Sequence, residues 1–190
     1  MYSNKYIFLY ASALVVVVAV ALTLVAVSLK PLQEENIRIE KMQNILTSIN
    51  IASTPKTAGQ LYTRYIHHTL TLNADMTEDS GTDAFKVDLA IELKKPDPSS
   101  RKYPVYVAAL ENGDTSYIFP MRGKGLWGPI WGYLSLKSDF TTVYGVMFDH
   151  KGETPGLGAE INTETFMSQF RDKQIFAPDG SFTSVKVIKG

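Results

Sequence analysis

Residues 150–160 read His-Lys-Gly-Glu-Thr-Pro-Gly-Leu-Gly-Ala-Glu, and the rest of the chain is arranged around them. The β-branched and aromatic residues at 141–149 predict a strand before this segment, and residues 163–170 predict a short helix after it. Three glycines permit close backbone approaches, and Pro155 stiffens the turn between them. The segment is therefore predicted to be a strand-to-helix loop. It could present backbone N–H groups to an anion, or it could be an ordinary glycine-rich connection.

Two motifs resemble a known family. The loop contains the hexapeptide Glu153, Thr154, Pro155, Gly156, Leu157 and Gly158. It resembles the E-T-P-G-L-G signature of the flavin-binding C subunit of the sodium-pumping NADH:quinone oxidoreductase. Upstream, residues 123–129 read Gly-Lys-Gly-Leu-Trp-Gly-Pro and resemble the G-x-G-L-W segment of the same family, with Gly-Tyr-Leu following at 132–134. The resemblance also covers an N-terminal membrane helix and residues 41–46.

This resemblance implies a fold, a cofactor and partners. The fold is α+β, a mostly antiparallel sheet with flanking helices behind one transmembrane helix. The cofactor is FMN, and the partners are the other subunits of a membrane-bound NADH:quinone reductase. The resemblance also implies a bacterial inner-membrane location with the soluble domain in the periplasm. As an electron carrier, the chain would need no catalytic side chain, because the flavin performs the redox chemistry.

A flavin site needs groups that bind the polar parts of the cofactor, an apolar or aromatic surface against its ring and hydrogen-bond donors near the ring nitrogens. The two motifs could supply all three. The residues implied to bind the cofactor are Leu126, Trp127, Glu153, Thr154, Pro155, Gly156, Leu157 and Gly158. Alternatives remain for three of the aromatic and charged residues. Trp127 also suits plain core packing, Glu153 is either a flavin hydrogen-bond acceptor or a loop-fixing carboxylate, and His150 is either a donor near the flavin or structural.

The family's flavin attachment motif is absent from residues 1–190. Members of the family hold FMN through a phosphoester bond to a threonine in an S-G-A-T motif after the last strand. Ser80, Gly81 and Thr82 lack the alanine and precede the flavin loops, so Thr82 is not assigned as the attachment site. We expect a C-terminally truncated form, cut just before the attachment loop. A variant that binds FMN without a covalent bond, or not at all, is the alternative.

Two rival functions remain open. One is the G subunit of the related Rnf electron-transport complex, which shares a membrane helix and covalent FMN. Residues 153–158 and the Asn-Ile-Leu segment at 44–46 favour the sodium-pumping family instead. The other rival is a cofactor-free, membrane-anchored assembly module, which the missing attachment threonine supports. A hydrolase has less support because no plausible nucleophile stands out.

Composition limits the classes of partner. The chain has 190 residues, with 19 basic and 19 acidic side chains, so it can hold one moderate domain plus a membrane segment. No run of Lys and Arg exceeds two residues, which argues against nucleic acid as a partner. The absence of cysteine excludes disulfides and thiolate metal sites. Adjacent His67 and His68 would point to different helical faces, so no metal site is predicted.

Residues 6–29 carry no charge and predict one transmembrane helix. A cleaved signal peptide is the competing interpretation, since Ala26, Val27 and Ser28 resemble a cleavage site. The apolar core is longer than the roughly 7–15 residues of a signal peptide, which favours the anchor. The short N-terminal tail favours an orientation with the N-terminus in the cytoplasm.

The remaining elements are predicted from periodicity and turn signals. A second, amphipathic helix is expected to begin at Pro31, with an apolar face of Ile37, Met42, Ile45, Leu46 and Ile49. This face would pack on its own domain or contact a neighbouring subunit. A short helix is expected at 58–70, a half-buried strand at 85–93 and a polar break at 94–104.

Antiparallel strands are expected in the second half of the chain. Residues 105–110 and 115–120 flank an Asn-Gly turn, and residues 130–137 and 141–149 form a second pair. A last strand is expected at 185–188. These elements suggest a transmembrane anchor at 1–30, a lobe of helix and strand at 31–95, and an FMN-binding domain at 96–190 that is incomplete at its C-terminus.

Overall fold

A five-stranded antiparallel sheet, with its strands side by side in sequence order, is the centre of the fold. The computed structural model describes residues 3–185. The strands are β1 (Ile66–Asn73), β2 (Lys102–Ala109), β3 (Thr115–Lys124), β4 (Pro129–Lys137) and β5 (Val143–His150). The predicted α+β class with a mostly antiparallel sheet is confirmed. Both predicted strand pairs are present, and Gly113 closes the β2–β3 turn with a positive φ of 85°.

The N-terminal helix α1 runs without interruption from Asn4 to Ser48. Within residues 3–185 it is the one helix long and apolar enough to cross a membrane, by length and composition. The boundary between two compact units of the chain falls inside α1, between Glu40 and Lys41. The expectation that a second helix begins at Pro31 is wrong, because Pro31 lies inside α1. Proline's fixed φ is compatible with a helix, so it can lie within one at the cost of a hydrogen bond.

The end of α1 supplies part of the core. Met42, Ile45, Leu46 and Ile49 are buried, as the predicted apolar face requires, whereas Ile37 is exposed and does not belong to that face. Ile45, Leu46 and Ile49 form one cluster with sheet residues that include Tyr106, Ile118, Tyr133 and Met147. The last turns of α1 therefore cover one face of the sheet.

The opposite face of β4 and β5 carries a second cluster. Successive strand residues point to opposite faces. Tyr133 and Met147 belong to the first cluster, while their neighbours Leu134 and Val146 belong to the second. Met167 covers this second face from α4 (Glu164–Met167), which with the following 3-10 turn (Ser168–Phe170) corresponds to the helix predicted at 163–170. The sheet that carries the glycine-rich segment is thus packed on both sides.

Two expectations for residues 58–93 are wrong in part or in whole. The helix predicted at 58–70 ends early: α2 covers Ala58–Tyr65, and β1 follows at the sheet edge. The strand predicted at 85–93 is absent. Residues Ala84–Lys86 form a 3-10 turn and Leu89–Glu92 form α3. The Asp83 and Asp88 side chains accept hydrogen bonds from the N–H groups two residues later, which starts helical turns where alternation alone indicated a strand.

Of the last predicted strand, 185–188, only Val185 belongs to the described residues, and it is not in a strand. The remainder lies outside the described residues. The two histidines of the sequence pair, His67 and His68, are exposed on β1 and not on a helix. No group of three or more His, Asp and Glu side chains within residues 3–185 is placed to hold a metal ion.

Asp79 is expected to make the stability of the domain depend on pH. Its carboxylate accepts hydrogen bonds from Lys102 Nζ at 2.7 Å, Thr82 Oγ1 at 2.6 Å and the Gly81 N–H at 3.0 Å. These donors, Lys102 above all, lower the Asp79 pKa from 3.8 to about 2. A lowered folded-state pKa adds stability above the unfolded value, and this stability disappears as the pH falls through the folded value.

We therefore expect Asp79→Asn to lower the free energy of unfolding by a constant amount above pH ~5. The difference from the unsubstituted chain should shrink between pH ~4 and ~2, where the native carboxylate takes up its proton. Urea unfolding of both chains in detergent, followed by near-ultraviolet circular dichroism at several pH values, measures this difference. A difference in the free energy of unfolding that stays the same at all pH values would contradict the prediction.

Candidate functional site

Two loops that are distant in sequence lie together at one end of the sheet. The hairpin loop (residues 125–128) joins β3 to β4, where Lys124 pairs with Pro129. The glycine loop (residues 151–158) follows β5, whose last residue His150 pairs with Ile130. The Lys151 N–H also donates to the Pro129 carbonyl at 3.1 Å. Strand pairing therefore brings both family motifs, and with them all eight predicted cofactor-binding residues, to one end of the sheet.

Glu153 connects the two loops through its carboxylate. Its side chain is only 8% exposed. Oε1 accepts hydrogen bonds from the N–H groups of Trp127 at 2.9 Å and Gly128 at 3.3 Å. Within the hairpin loop, the Gly125 N–H donates to the Gly128 carbonyl at 2.8 Å. Of the two roles left open for Glu153, these contacts are those of a loop-fixing carboxylate.

Glycines leave the space that this carboxylate occupies. A Cβ atom at Gly125 would overlap Glu153 Oε1, and one at Gly158 would lie 2.7 Å from Oε2. Real Cβ atoms do not approach other heavy atoms so closely, so a side chain at either position would displace the carboxylate. Gly125 was not among the predicted site residues. The spacing of Gly123 and Gly125 in the motif was the only signal for it in the sequence.

Four N–H groups of the glycine loop, those of Lys151, Glu153, Gly156 and Leu157, donate hydrogen bonds within residues 3–185. The Gly156 N–H donates to Glu160 Oε1 at 2.9 Å, and the Leu157 N–H donates to the Thr154 carbonyl at 3.1 Å. The anion-facing role expected of this backbone is thus not available at Gly156 and Leu157 in this conformation. By contrast, the Thr154 N–H and hydroxyl donate no hydrogen bond within residues 3–185, and the side chain is exposed.

His150 supports the start of the glycine loop. Its Nδ1 accepts a hydrogen bond from the Glu153 N–H at 3.2 Å, so the neutral ring carries its proton on Nε2. The His150 N–H donates to its neighbour Asp149 at 2.8 Å. These contacts correspond to the structural role considered for His150 and leave Nε2 as the donor on the ring.

Three large apolar side chains on the two loops face solvent. Leu126 is 82% exposed, Trp127 is 71% exposed and Leu157 is 73% exposed. Plain core packing, the alternative for Trp127, therefore does not occur. The hairpin motif itself lines an open hollow of about 330 Å³. Exposed apolar side chains gathered at one place mark binding surfaces, and an indole offers a flat face to a planar ring.

The arrangement fits the needs of a flavin in part. Leu126, Trp127 and Leu157 offer apolar and aromatic surface, and Thr154 offers unused donors beside it. Pro155 and Gly156, also predicted to contact the cofactor, are exposed at the tip of the glycine loop, where Gly156 adopts a φ of 74°. The buried Glu153 and the Glu160 carboxylate make this loop better suited to the neutral ring system than to a phosphate.

Comparisons with known proteins agree with the two motifs. Residues 125–189 match the FMN-binding domain family. The C subunit of the Na(+)-translocating NADH-quinone reductase of Vibrio parahaemolyticus is 26% identical over 193 residues, which cover 92% of this chain and 74% of that protein.

Solved structures share the fold. The crystal structure of Shewanella oneidensis NqrC is 25% identical with a TM-score of 0.69, covering 80% of this chain and 77% of that one. The crystal structure of the C subunit of the Na(+)-translocating NADH-quinone reductase from Parabacteroides distasonis has a TM-score of 0.77 and 40% identity, covering 85% of this chain and 77% of that one. With that identity over most of both chains, the chain belongs to the family formed by the C subunits of the Na(+)-translocating NADH-quinone reductase.

Proposed function

We propose that the chain binds FMN against the hairpin and glycine loops and relays electrons as the C subunit of a membrane-bound NADH:quinone reductase that pumps sodium. Its partners would be the other subunits of that complex. The observation that carries the proposal is the exposure of Leu126, Trp127 and Leu157 on two loops that Glu153 ties together. An electron-transfer role needs a held flavin and no catalytic side chain of the protein's own.

Each proposed contact has its own task. The bound flavin would supply the redox chemistry, and the chain would position it. The Trp127 indole and the Leu126 and Leu157 side chains would cover the ring and exclude water from it. Thr154 would donate a hydrogen bond to a polar edge of the ring or to the ribityl chain. Gly156, Pro155 and Gly158 would shape the loop that carries these groups.

The proposal concerns non-covalent binding of FMN by these two loops. Residues 1–190 contain no S-G-A-T motif for a phosphoester bond. The hydroxyl of Thr82, the superficial near match, donates to Asp79 at 2.6 Å. Both flavin loops fall within residues 96–190, the part of the chain that we propose as the FMN-binding portion.

We further propose that residues 1–30, of which residues 4–30 belong to α1, anchor the chain as a single, uncleaved span of the bacterial inner membrane. An 18-residue stretch of α1 has a mean hydropathy of 2.8. In the orientation that we propose, the N-terminal end of this span faces the cytoplasm and the soluble domain lies in the periplasm. Labelling of single cysteines introduced at Ser3 and Asp97, using a reagent that cannot cross the membrane, would test this orientation. Selective labelling of position 97 in intact spheroplasts would support it, and selective labelling of position 3 would contradict it.

The binding proposal is tested by titrating the full-length chain with FMN in detergent while flavin fluorescence and anisotropy are recorded. We expect saturable binding and quenching, since stacking on an indole quenches the flavin. Leu157→Ala should raise the dissociation constant about five- to tenfold, because it removes apolar surface from one side of the ring.

Ile91→Ala provides the matched control, since Ile91 is another large exposed apolar side chain but lies on α3. It should leave the dissociation constant unchanged. If the unsubstituted chain shows no saturable binding, the FMN proposal fails and a cofactor-free assembly module becomes the better account. Equal effects of the two substitutions would move the binding site away from the glycine loop.

A further inference from the structure

The Glu153 carboxylate occupies an unusual place for an acidic side chain in a surface loop. It is almost fully buried, and its Oε1 atom receives two backbone N–H groups from the other loop. Burying a carboxylate is unfavourable unless hydrogen bonds replace its hydration. Here the donors are N–H groups of Trp127 and Gly128, so the charge is satisfied only while the two loops stay together.

We propose that Glu153 is a positioning residue for flavin binding: its carboxylate fixes the hairpin loop that carries Trp127 against the glycine loop that carries Leu157, and it does not itself touch the flavin. The proposal rests on the proposed function and adds to it which group organises the site. Fixing the N–H groups of Trp127 and Gly128 fixes the backbone on both sides of the Trp127 Cα atom. The direction of the indole is then determined by its own side-chain rotamer, which leaves few choices.

The Glu153 side chain also lies against the glycine loop, which carries Leu157. Three residues separate Leu157 from Glu153, and the Leu157 N–H closes a turn on the Thr154 carbonyl at 3.1 Å. Gly158 lies against Oε2, where a Cβ atom would be 2.7 Å away. The carboxylate therefore has one oxygen on the hairpin loop and one against the glycine loop. Displacing the carboxylate would therefore let the two loops move relative to each other, while the Trp127 and Leu157 side chains themselves stay unchanged.

Substitutions that differ in acceptor position separate this role from a simple charge effect. Glu153→Gln keeps the length and one carbonyl acceptor, so FMN affinity should stay within about threefold. Glu153→Asp retains the charge but is one methylene too short to reach the Trp127 N–H. Glu153→Asp and Glu153→Ala should each weaken FMN binding about tenfold or more and reduce the quenching of bound flavin, since losing charge-assisted hydrogen bonds loosens the loops.

A double-mutant cycle tests whether Glu153 acts through Trp127. If it does, Glu153→Ala should cost much less affinity when Trp127 is already alanine than when Trp127 is present. Additive losses would overturn the proposed coupling. Wild-type quenching and affinity in Glu153→Ala would overturn it as well, and a larger loss in Glu153→Gln than in Glu153→Asp would show that charge matters more than position.

Gly125→Ala offers a second approach that leaves Glu153 in place. The added methyl group would push the carboxylate away from the Trp127 N–H, so FMN binding should weaken about fivefold or more. Gly152→Ala is the control, because a Cβ atom there meets nothing within 4 Å. Equal affinities for the two alanine variants, with melting temperatures that show both to be folded, would overturn the inference.

The two proposals fail in distinguishable ways. Absence of FMN binding by the unsubstituted chain removes the proposed function itself. Normal binding by that chain together with unchanged binding by Glu153→Ala and Gly125→Ala removes only the positioning role. If Glu153→Ala does not fold, Glu153→Asp and Gly125→Ala still decide the question.

Discussion

Gly145→Ala should lower the free energy of unfolding by about 2–3 kcal/mol, the cost of forcing extra volume into a closely packed contact. A Cβ atom at Gly145 would lie 2.5 Å from the Ser48 carbonyl oxygen, and 3.1 Å from the Asn50 side chain. The first of these neighbours is backbone, which cannot move away without shifting the end of α1. The Asn50 amide, which donates to the Tyr144 carbonyl at 3.2 Å, belongs to the same contact.

The expected change in melting temperature is a drop of about 5–10 °C, given the usual scale for a domain of this size. Circular dichroism of the full chain in detergent measures it. Gly152→Ala is the matched control, because the added methyl group has open space and should shift the melting temperature by less than ~1 °C. If the two variants melt together, α1 does not lie on β5 as described.

Trp127→Ala should weaken FMN binding about ten- to a hundredfold, the largest effect expected of any single substitution in the site. The indole is mostly exposed, so its removal costs little stability but takes away the largest flat surface available to the ring. Titration with FMN gives the affinity, and the emission of the bound flavin reports stacking. The affinity for FMN and the emission of the bound flavin should change together.

Trp127→Phe is the conservative counterpart. It keeps an aromatic face and the same backbone N–H to Glu153, so affinity should recover to within about fivefold of the unsubstituted chain. A melting temperature unchanged in both variants would separate the loss of flavin contact from unfolding. Unchanged affinity in Trp127→Ala would place the flavin elsewhere.

The second half of the fold could be predicted because its signals are local. Asn112 and Gly113 demand a tight turn, and the flanking alternation fits strands on either side, as β2 and β3 show. The first half of the fold was harder to predict from the sequence. Residues 85–93 alternate like a strand, but Asp83 and Asp88 can cap helical turns, and a side-chain cap competes with alternation over so short a span.

The edge strand β1 was missed for a related reason. Residues 58–65 have the pattern of a helix, and nothing in the sequence marks its end at Ile66 as sharply as a glycine or proline would. Pairing with β2, which begins almost thirty residues after β1 ends, decides that residues 66–73 are extended. Such tertiary contacts override local preference and cannot be read from a short window.

For the candidate site, too, the sequence predicted some features and not others. The motifs predicted candidate residues, and strand pairing explains why these residues lie at one end of the sheet. Their individual roles depended on burial, which the sequence does not show. Trp127 would have been assigned to the core by its size alone, yet it faces solvent, whereas the charged Glu153 is buried. Hydrogen bonds across the two loops account for the buried Glu153 carboxylate.

An electron-density map of the chain crystallised with FMN, at a concentration well above the measured dissociation constant, tests the central claim most directly. We expect the isoalloxazine ring against the Trp127 indole and Leu157, with the Glu153 carboxylate still bonded to the Trp127 N–H and out of contact with the ring. A flavin bound away from both loops, or no flavin density at saturating FMN, would contradict the account.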